Sequence, residues 1–142
     1  MTGQLVLETA IEKSLRWRLT ARCAVLAAAG LAKLSPYRLR KSLEFLHRGA
    51  APADIATATR ARDAVVAVSR RCRGPWCLQR SIAAALVCRT RGSWPDWHAG
   101  FRTEPFLAHA WITAEKTPIG EDPANITQFH PTMTITATTN TN

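Results

Sequence analysis

Apolar residues recur at helical spacing near the start of the chain. Four of them form a row: Ile11, Leu15, Leu19 and Leu26. The row predicts a helix over about residues 5–34. The uncharged apolar run at residues 23–32 is about half as long as a membrane span. It therefore indicates a buried core helix, with an interfacial amphipathic helix as the alternative.

Two further helices are predicted before residue 72. Ser35 followed by Pro36 is typical of an N-cap with proline at the first helical position, and it predicts a helix over about residues 37–47. An amphipathic pattern rich in Ala and Val predicts another helix over about residues 53–71. The first part of the chain is therefore expected to be a helical subdomain.

The pattern after residue 72 is mixed. Residues 78–91 contain no Gly or Pro, which predicts a helix that begins at Cys77 and ends at Gly92. Apolar and aromatic residues then predict three strands, of which the first two form an antiparallel pair after a turn at residues 93–96. These strands are expected at residues 97–102, 106–113 and 133–136.

The predicted fold class is α+β. We expect a basic subdomain of about three helices at residues 1–72. Residues 73–142 are expected to form a unit of one central helix packed on an antiparallel sheet, ending in a polar tail.

Positive charge is concentrated in the first half of the chain, which has a net charge of +9. Residues 1–76 contain 14 Lys and Arg against 5 Asp and Glu, whereas residues 77–142 contain 5 of each kind. This asymmetry predicts that the helical half contacts an acidic partner, although a solvated arginine-rich surface has the same composition. The candidate contact residues are Arg38, Arg40, Lys41, Arg60 and Arg62.

A basic protein that binds nucleic acid is the non-enzymatic alternative. The high positive charge and the adjacent residues Arg16, Trp17 and Arg18 favour it. The sequence contains no recognised nucleic-acid motif, so this partner ranks below the others.

The composition and the four cysteines restrict the class of protein. With 46% hydrophobic and 20% charged residues, the chain is expected to be globular. Cysteines without regular spacing, in a chain without a signal peptide, predict reduced thiols and a cytoplasmic location. Cys72 and Cys77 lack the second close pair of ligands that a structural zinc site requires. Three of the cysteines are expected to be core residues: Cys23, Cys72 and Cys88.

Residue types that support nucleophilic catalysis follow one another along the chain. At a helix N-terminus, unpaired N–H groups and the helix dipole stabilise a thiolate, so Cys77 is a candidate nucleophile. His109 is the only ionisable residue of its apolar strand and is a candidate base. Glu121 or Asp122 is a candidate for the acid that orients the imidazole. Buried cysteines and histidines also have purely structural roles, and the residue types alone leave both interpretations open.

Two motifs add a resemblance to a known family. The first is C-L-x-R-S at residues 77–81, and the second is A-H-A-W at residues 108–111. At this separation the motifs resemble those of the lasso-peptide leader peptidases, the stand-alone protease half of the split lasso maturation protein. That family has a transglutaminase-like, papain-related fold. The resemblance covers about residues 70–122.

The resemblance implies a role for each candidate residue. Cys77 would be the nucleophile, His109 the base, and Glu121 the acid, with Asp122 as the alternative third member. The implied reaction removes the leader from a ribosomally made lasso precursor peptide through a thioester, without a metal or cofactor. The implied partners are a leader-binding protein and an ATP-dependent lasso cyclase, and neither a membrane nor nucleic acid is required. A transglutaminase-like acyl transferase with the same triad is the alternative activity.

Overall fold

A computed structural model describes residues 2–137 of the chain, and the side chains from Ser14 onward. The place of Ile11 in the apolar row and the end of the predicted polar tail lie outside the described side chains. The described helices are α1 (Thr2–Leu31), α2 (Pro36–Leu46), α3 (Ile55–Val68), α4 (Arg70–Arg73), α5 (Cys77–Thr90) and α6 (Pro123–Ile126). The described strands are β1 (Ala51–Pro52), β2 (Ser93–Trp94), β3 (Asp96–Thr103), β4 (Phe106–Ala114), β5 (Thr117–Pro118) and β6 (His130–Ile135).

Four strands form an antiparallel sheet in the order β5-β4-β3-β6. β3 and β4 are a hairpin that pairs over its whole length, and Gly100 of β3 lies opposite His109 of β4. β6 pairs with the other edge of β3 so closely that a Cβ on Gly100 would collide with the backbone of His130. Helices and this antiparallel sheet confirm the predicted α+β class.

A second, two-stranded sheet joins β1 and β2 in parallel. The turn predicted at residues 93–96 is therefore wrong at its start, because Ser93 and Trp94 form β2. Trp94 is fully buried, and its indole N–H donates a hydrogen bond to the Ile135 carbonyl at 3.1 Å. The burial of this large ring overrides the local preference for a turn.

The helix predicted over residues 53–71 is divided at Ser69. α3 ends at Val68 because the backbone of Ser69 is extended, with φ −131° and ψ 117°. The Ser69 hydroxyl then accepts a hydrogen bond from the Cys72 N–H at 3.3 Å and caps α4. Arg73 folds back and donates to the carbonyls of Val66 and Ala67 at the end of α3.

α1 buries small residues and exposes its leucines. The buried face consists of Trp17, Ala21, Ala24 and Ala28. Leu15, Leu19 and Leu26 face solvent, with 59%, 66% and 75% of their surface exposed. The interpretation as a core helix is therefore wrong for this face, since alanines on the opposite face let α1 approach α5 closely. Cys23 is also exposed, contrary to the prediction, whereas Cys72 and Cys88 are buried as expected.

One hydrophobic core extends across the predicted subdomain boundary at residue 72. It joins Ala21 of α1 and Val65 of α3 to Ile82 of α5 and Trp97 of β3. The side-chain amide of Gln79 on α5 also donates to a carbonyl of α1 at 3.1 Å. The described halves thus share their packing, and the division at residue 72 stays a prediction.

Candidate active site

Cys77 is the first residue of α5, and the start of this helix differs from the starts of α2, α3, α4 and α6. Ser35, Asp54, Ser69 and Asp122 each cap a helix with a side-chain oxygen. In the described part of the chain, no side chain caps α5 at Trp76. The first hydrogen bond of the helix runs from the Arg80 N–H to the Trp76 carbonyl at 3.0 Å. The N–H of Cys77 is therefore free to act as a donor beside the thiol.

His109 lies on β4 between two aromatic rings. Its ring centroid is 5.9 Å from that of Trp111, nearly parallel to it, and 5.2 Å from that of Phe129. Its Nε2 lies 3.0 Å from Oε1 of Glu121. The other ring nitrogen, Nδ1, is therefore left for the Cys77 thiol, and each of these two groups shifts the pKa of the other.

The pKa values of this pair are shifted in opposite directions. Burial raises the pKa of the Cys77 thiol, but hydrogen bonds from the His109 ring and the Ala110 N–H, with the charges of His109 and Arg80, bring it below its ordinary value. Hydrogen bonds to Cys77 and Glu121 outweigh burial and raise the pKa of His109 to about 9. The two shifts together favour a thiolate beside an imidazolium.

The other described cysteines differ from Cys77. Burial raises the pKa of Cys88 to about 12, so that its thiol stays protonated. Cys72 is buried, and Cys23 lies on the exposed face of α1. Only Cys77 therefore combines partial exposure, a helix N-terminus and an adjacent histidine among the described residues.

The two acids that sequence reasoning left open have different partners. Glu121 contacts His109, whereas Asp122 caps α6 by accepting a hydrogen bond from the Ala124 N–H at 3.0 Å. The structure thus brings Cys77, His109 and Glu121 together and turns Asp122 toward a helix start. The catalytic roles of these residues stay predictions.

Arg80 is a residue of this site that the sequence analysis did not single out. Its Nη1 donates to the carbonyls of Cys72 and Gly74 at 3.1 and 3.0 Å, and its Nη2 lies 3.8 Å from Oε1 of Glu121. Arg80 therefore joins the segment before Cys77 to the acid that contacts His109. Its place inside the C-L-x-R-S motif is the signal that would have identified it.

The five arginines and lysines predicted to contact a partner occupy different environments. Arg38, Arg40 and Lys41 are exposed on α2, where Arg40 forms an ion pair with Glu44 at 3.0 Å. Arg60 stacks over the ring of Trp17, with 4.8 Å from its guanidinium to the ring centroid. Arg62 is half-buried against Gly120, next to the candidate acid. Contact with a partner stays a prediction for all five, and the position of Arg62 favours support of the Glu121 loop.

An apolar groove of about 340 Å³ opens at Cys77 and His109. Its walls come from the loop after α1, from α2, from the start of α5 and from β3, β4 and β6. The principal side chains are Leu34, Leu39, Leu78, Trp97, Ala108 and Met133. The side-chain amide of Gln79, two residues after Cys77, donates to the Val25 carbonyl. The groove can therefore hold an extended chain against the thiol, with the backbone N–H of Cys77 as oxyanion donor.

Comparison with models of known protein families gives a match. A family model described as "Transglutaminase-like superfamily" matches residues 21–134, which is most of the chain. The chain belongs to the transglutaminase-like superfamily. Neither the comparison with curated proteins nor that with solved structures finds a match. Membership in this superfamily accords with a cysteine enzyme of the protease or acyl-transferase type.

Outside the Cys77 site, the described residues of this transglutaminase-like chain contain no metal-binding cluster and no bilayer-spanning helix. Over the described residues, no group of three or more His, Cys, Asp or Glu could hold a metal ion. The described helices include none with the length and apolar character needed to cross a bilayer. His98, the second histidine of the hairpin, has both ring nitrogens within hydrogen-bond distance of threonine hydroxyls, on Thr134 and Thr113.

Proposed function

We propose that this protein is a cysteine peptidase that removes the leader from a ribosomally synthesised lasso-peptide precursor. The observation that carries the proposal is that Cys77 and His109 both line one apolar groove, with Glu121 hydrogen-bonded to His109. The motifs at residues 77–81 and 108–111, which resemble those of the lasso leader peptidases, support the choice of substrate.

The mechanism follows from the positions of these side chains. His109 holds the proton of the thiol, and the Cys77 thiolate attacks the scissile carbonyl carbon. The N–H of Cys77 stabilises the oxyanion. The imidazolium then gives its proton to the departing amine, which leaves a thioester on Cys77. His109 next accepts a proton from water, and the resulting attack releases the leader as a carboxylic acid and restores the thiol.

Glu121 orients the imidazole in this mechanism. Its hydrogen bond to Nε2 keeps Nδ1 directed at the thiol and stabilises the imidazolium that forms. The 3.8 Å approach of Arg80 limits where the carboxylate can move. The acid therefore supports the base and does not itself transfer a proton to the substrate.

The proposed activity would involve two partner proteins and would take place in the cytoplasm. A leader-binding protein would present the precursor, and an ATP-dependent lasso cyclase would use the new N-terminus. The reaction would take place in the cytoplasm, where the thiol of Cys77 stays reduced.

An acyl transferase is the second candidate, because transglutaminase-like enzymes share this arrangement of residues. In that case an amine, and not water, would resolve the thioester. The two reactions give products of different mass, so mass spectrometry separates them.

The test is processing of a candidate precursor together with its leader-binding protein, followed by mass spectrometry. We expect the wild type to release leader and core, Cys77→Ala to be inactive, and His109→Ala to lose about a thousandfold in rate. Glu121→Gln should be slower by about a hundredfold or more, because the amide cannot stabilise the imidazolium as the carboxylate does.

Asp122→Asn is the matched control for the acid. Asparagine caps a helix about as well as aspartate, so this variant should keep its rate within about twofold. Cleavage by Cys77→Ala at the wild-type rate would refute the peptidase. A larger loss in Asp122→Asn than in Glu121→Gln would exchange the roles of the two acids.

A further inference from the structure

α1 is apolar on two opposite faces, and only one of them is covered in the described structure. The inner face packs into the core, as described above. Leu15, Leu19 and Leu26 are separated by four and seven residues, so they form one line on the opposite face. We call these three residues the outer leucine row. It extends over roughly 16 Å of the helix, and its leucines are among the most exposed large hydrophobic residues described.

The borders of the outer leucine row are positively charged. Arg16 and Arg18 are exposed on either side of it, Arg22 is exposed within the line between Leu19 and Leu26, and residues 14–31 contain no acidic residue. Near Leu26 the surface becomes concave, where Arg22 and Val25 of α1 and Val68 of α3 line a depression of about 360 Å³. An occupant of this surface must therefore supply both apolar contact and negative charge.

Two other occupants agree less well with these observations. A second copy of the chain would bring the same arginines against one another, which is unfavourable in an apolar contact. A membrane-surface helix usually places aromatic residues in the bilayer interface. The only aromatic residue in the described side chains of α1 is Trp17, which is buried beneath Arg60 and Arg91.

We propose that the outer leucine row docks a partner protein whose surface carries an apolar groove bordered by acidic side chains. Under the proposed function, on which this assignment rests, that partner is the leader-binding protein. This surface differs from the basic residues of α2 and α3 that the charge asymmetry predicted as contacts.

The location of α1 suits the delivery of a peptide to Cys77. Ala29 of α1, and Ala32 and Lys33 just after it, line a cavity of about 260 Å³ that Trp76 and Cys77 also line. A partner held on the outer face of α1 would thus lie next to an approach to the nucleophile. Docking there raises the local concentration of the precursor without blocking the apolar groove.

The test measures the affinity of the leader-binding protein for variants in a Cys77→Ala background by isothermal titration calorimetry. We expect the triple variant Leu15→Glu, Leu19→Glu, Leu26→Glu to bind at least about tenfold more weakly. Phe45→Glu is the matched control, because Phe45 is 67% exposed on α2. The triple variant Arg38→Glu, Arg40→Glu, Lys41→Glu tests the alternative basic surface and should bind within about twofold of the Cys77→Ala parent.

Cys23 provides a second readout. It is exposed on the outer face of α1, whereas Cys72 and Cys88 are buried. In the Cys77→Ala background, the bound partner should slow alkylation of Cys23 by iodoacetamide. The leucine variants should lose this protection.

Three controls separate failure of this proposal from failure of the proposed function. With Cys77 restored, a short leader–core peptide should be cleaved equally well by the leucine variants without the partner. Equal affinity of the leucine variants and the parent for the partner overturns the docking surface. So does dimerisation of the parent in sedimentation that the leucine variants abolish. Flotation of the parent with phosphatidylglycerol vesicles that the leucine variants abolish has the same consequence. Absence of cleavage by the wild type of both the short peptide and the precursor with its leader-binding protein instead refutes the peptidase itself.

Discussion

The reactivity of Cys77 depends on burial and on three groups around its sulfur. Burial alone would raise the pKa of the thiol, as it does for Cys88. The His109 ring, the Ala110 N–H and the charge of Arg80 more than compensate. The pKa of His109 is about 9, and that of Cys77 is below its ordinary value. The thiolate and the imidazolium therefore coexist in the pH range between these two pKa values.

We expect this pair to be visible in the pH dependence of alkylation by iodoacetamide. In a Cys23→Ser background, the rate at Cys77 should rise with pH at values where an ordinary thiol is still protonated. In His109→Ala the favourable hydrogen bond and charge are lost while burial remains, so the profile should move to higher pH. The charge of Arg80 lowers the pKa of Cys77 less than His109 does, so Arg80→Gln should produce a smaller move. Intact mass at each pH measures the extent of reaction.

An unchanged alkylation profile in His109→Ala would contradict the ion pair. The same two protonation steps determine how the peptidase activity depends on pH. Activity should fall at low pH as the thiolate is protonated, and at high pH as the imidazolium deprotonates near pH 9.

At the residue scale, the sequence predicted side-chain chemistry better than backbone contacts. Cys77 and His109 were identified from their motifs, and the structure brings them together. Ala110 could not have been found, because it acts through a backbone N–H whose direction depends on the sheet. The choice between Glu121 and Asp122 had a usable signal, since Asp followed by Pro123 is typical of an N-cap.

At the scale of elements, the loop that carries Glu121 depends on a glycine. Gly120 has φ +67°, and a Cβ there would collide with the side chain of Arg62. The left-handed backbone therefore favours glycine at this position, and an added Cβ would also displace the guanidinium end of Arg62.

We expect Gly120→Ala to lose about 1–2 kcal/mol of unfolding free energy and about 10- to 100-fold in peptidase rate, because Glu121 is displaced from His109. Gly92→Ala is the matched control. Gly92 has φ +80° but no atom within 4 Å of the added Cβ, so it should lose stability without losing rate. Urea unfolding and precursor cleavage measure the two effects. Equal rates in the two variants would mean that the loop position does not govern Glu121.

Element boundaries were predictable where local signals dominate. The start of α5 at Cys77 and the N-cap of α2 at Ser35 were predicted as the structure has them. The break at Ser69 and the short strand β2 were missed. β2 depends on partners distant in sequence, because it pairs with β1 and the indole of Trp94 donates to the Ile135 carbonyl. The break at Ser69 instead depends on local contacts, since the Ser69 hydroxyl caps α4 and Arg73 donates to carbonyls at the end of α3.

At the scale of the whole molecule, the sheet and the N-terminal helices share one core. The largest fully buried side chains include Trp94 and Trp97 of the sheet region and Leu43 and Val65 of the helical half. A core of this kind is expected to unfold as one unit.

We expect urea unfolding followed by far-UV circular dichroism and by tryptophan fluorescence to give a single coincident transition. Ala28→Leu, which overfills the buried face of α1, should lower the unfolding free energy by about 1–3 kcal/mol and move both signals together. Two separate transitions would instead support independent subdomains divided near residue 72.

The burial of α1 could not be predicted from its sequence pattern. Helical spacing of leucines identifies a helix face, but it does not distinguish a face that packs into the chain's own core from one that faces solvent. The inner face consists mainly of alanines, which give a weak hydrophobic signal although they permit close helix contact.

Three consecutive residues, which begin two positions after the candidate nucleophile Cys77, each hold α5 to a different neighbour. Gln79 bonds to α1, Arg80 contacts the Glu121 loop, and Ser81 accepts the indole N–H of Trp97 at 3.0 Å. Transplanting the C-L-x-R-S pentapeptide to another scaffold would therefore transfer a cysteine without its alignment. An engineer who wished to reproduce this chemistry would have to import all three anchoring neighbours along with the motif.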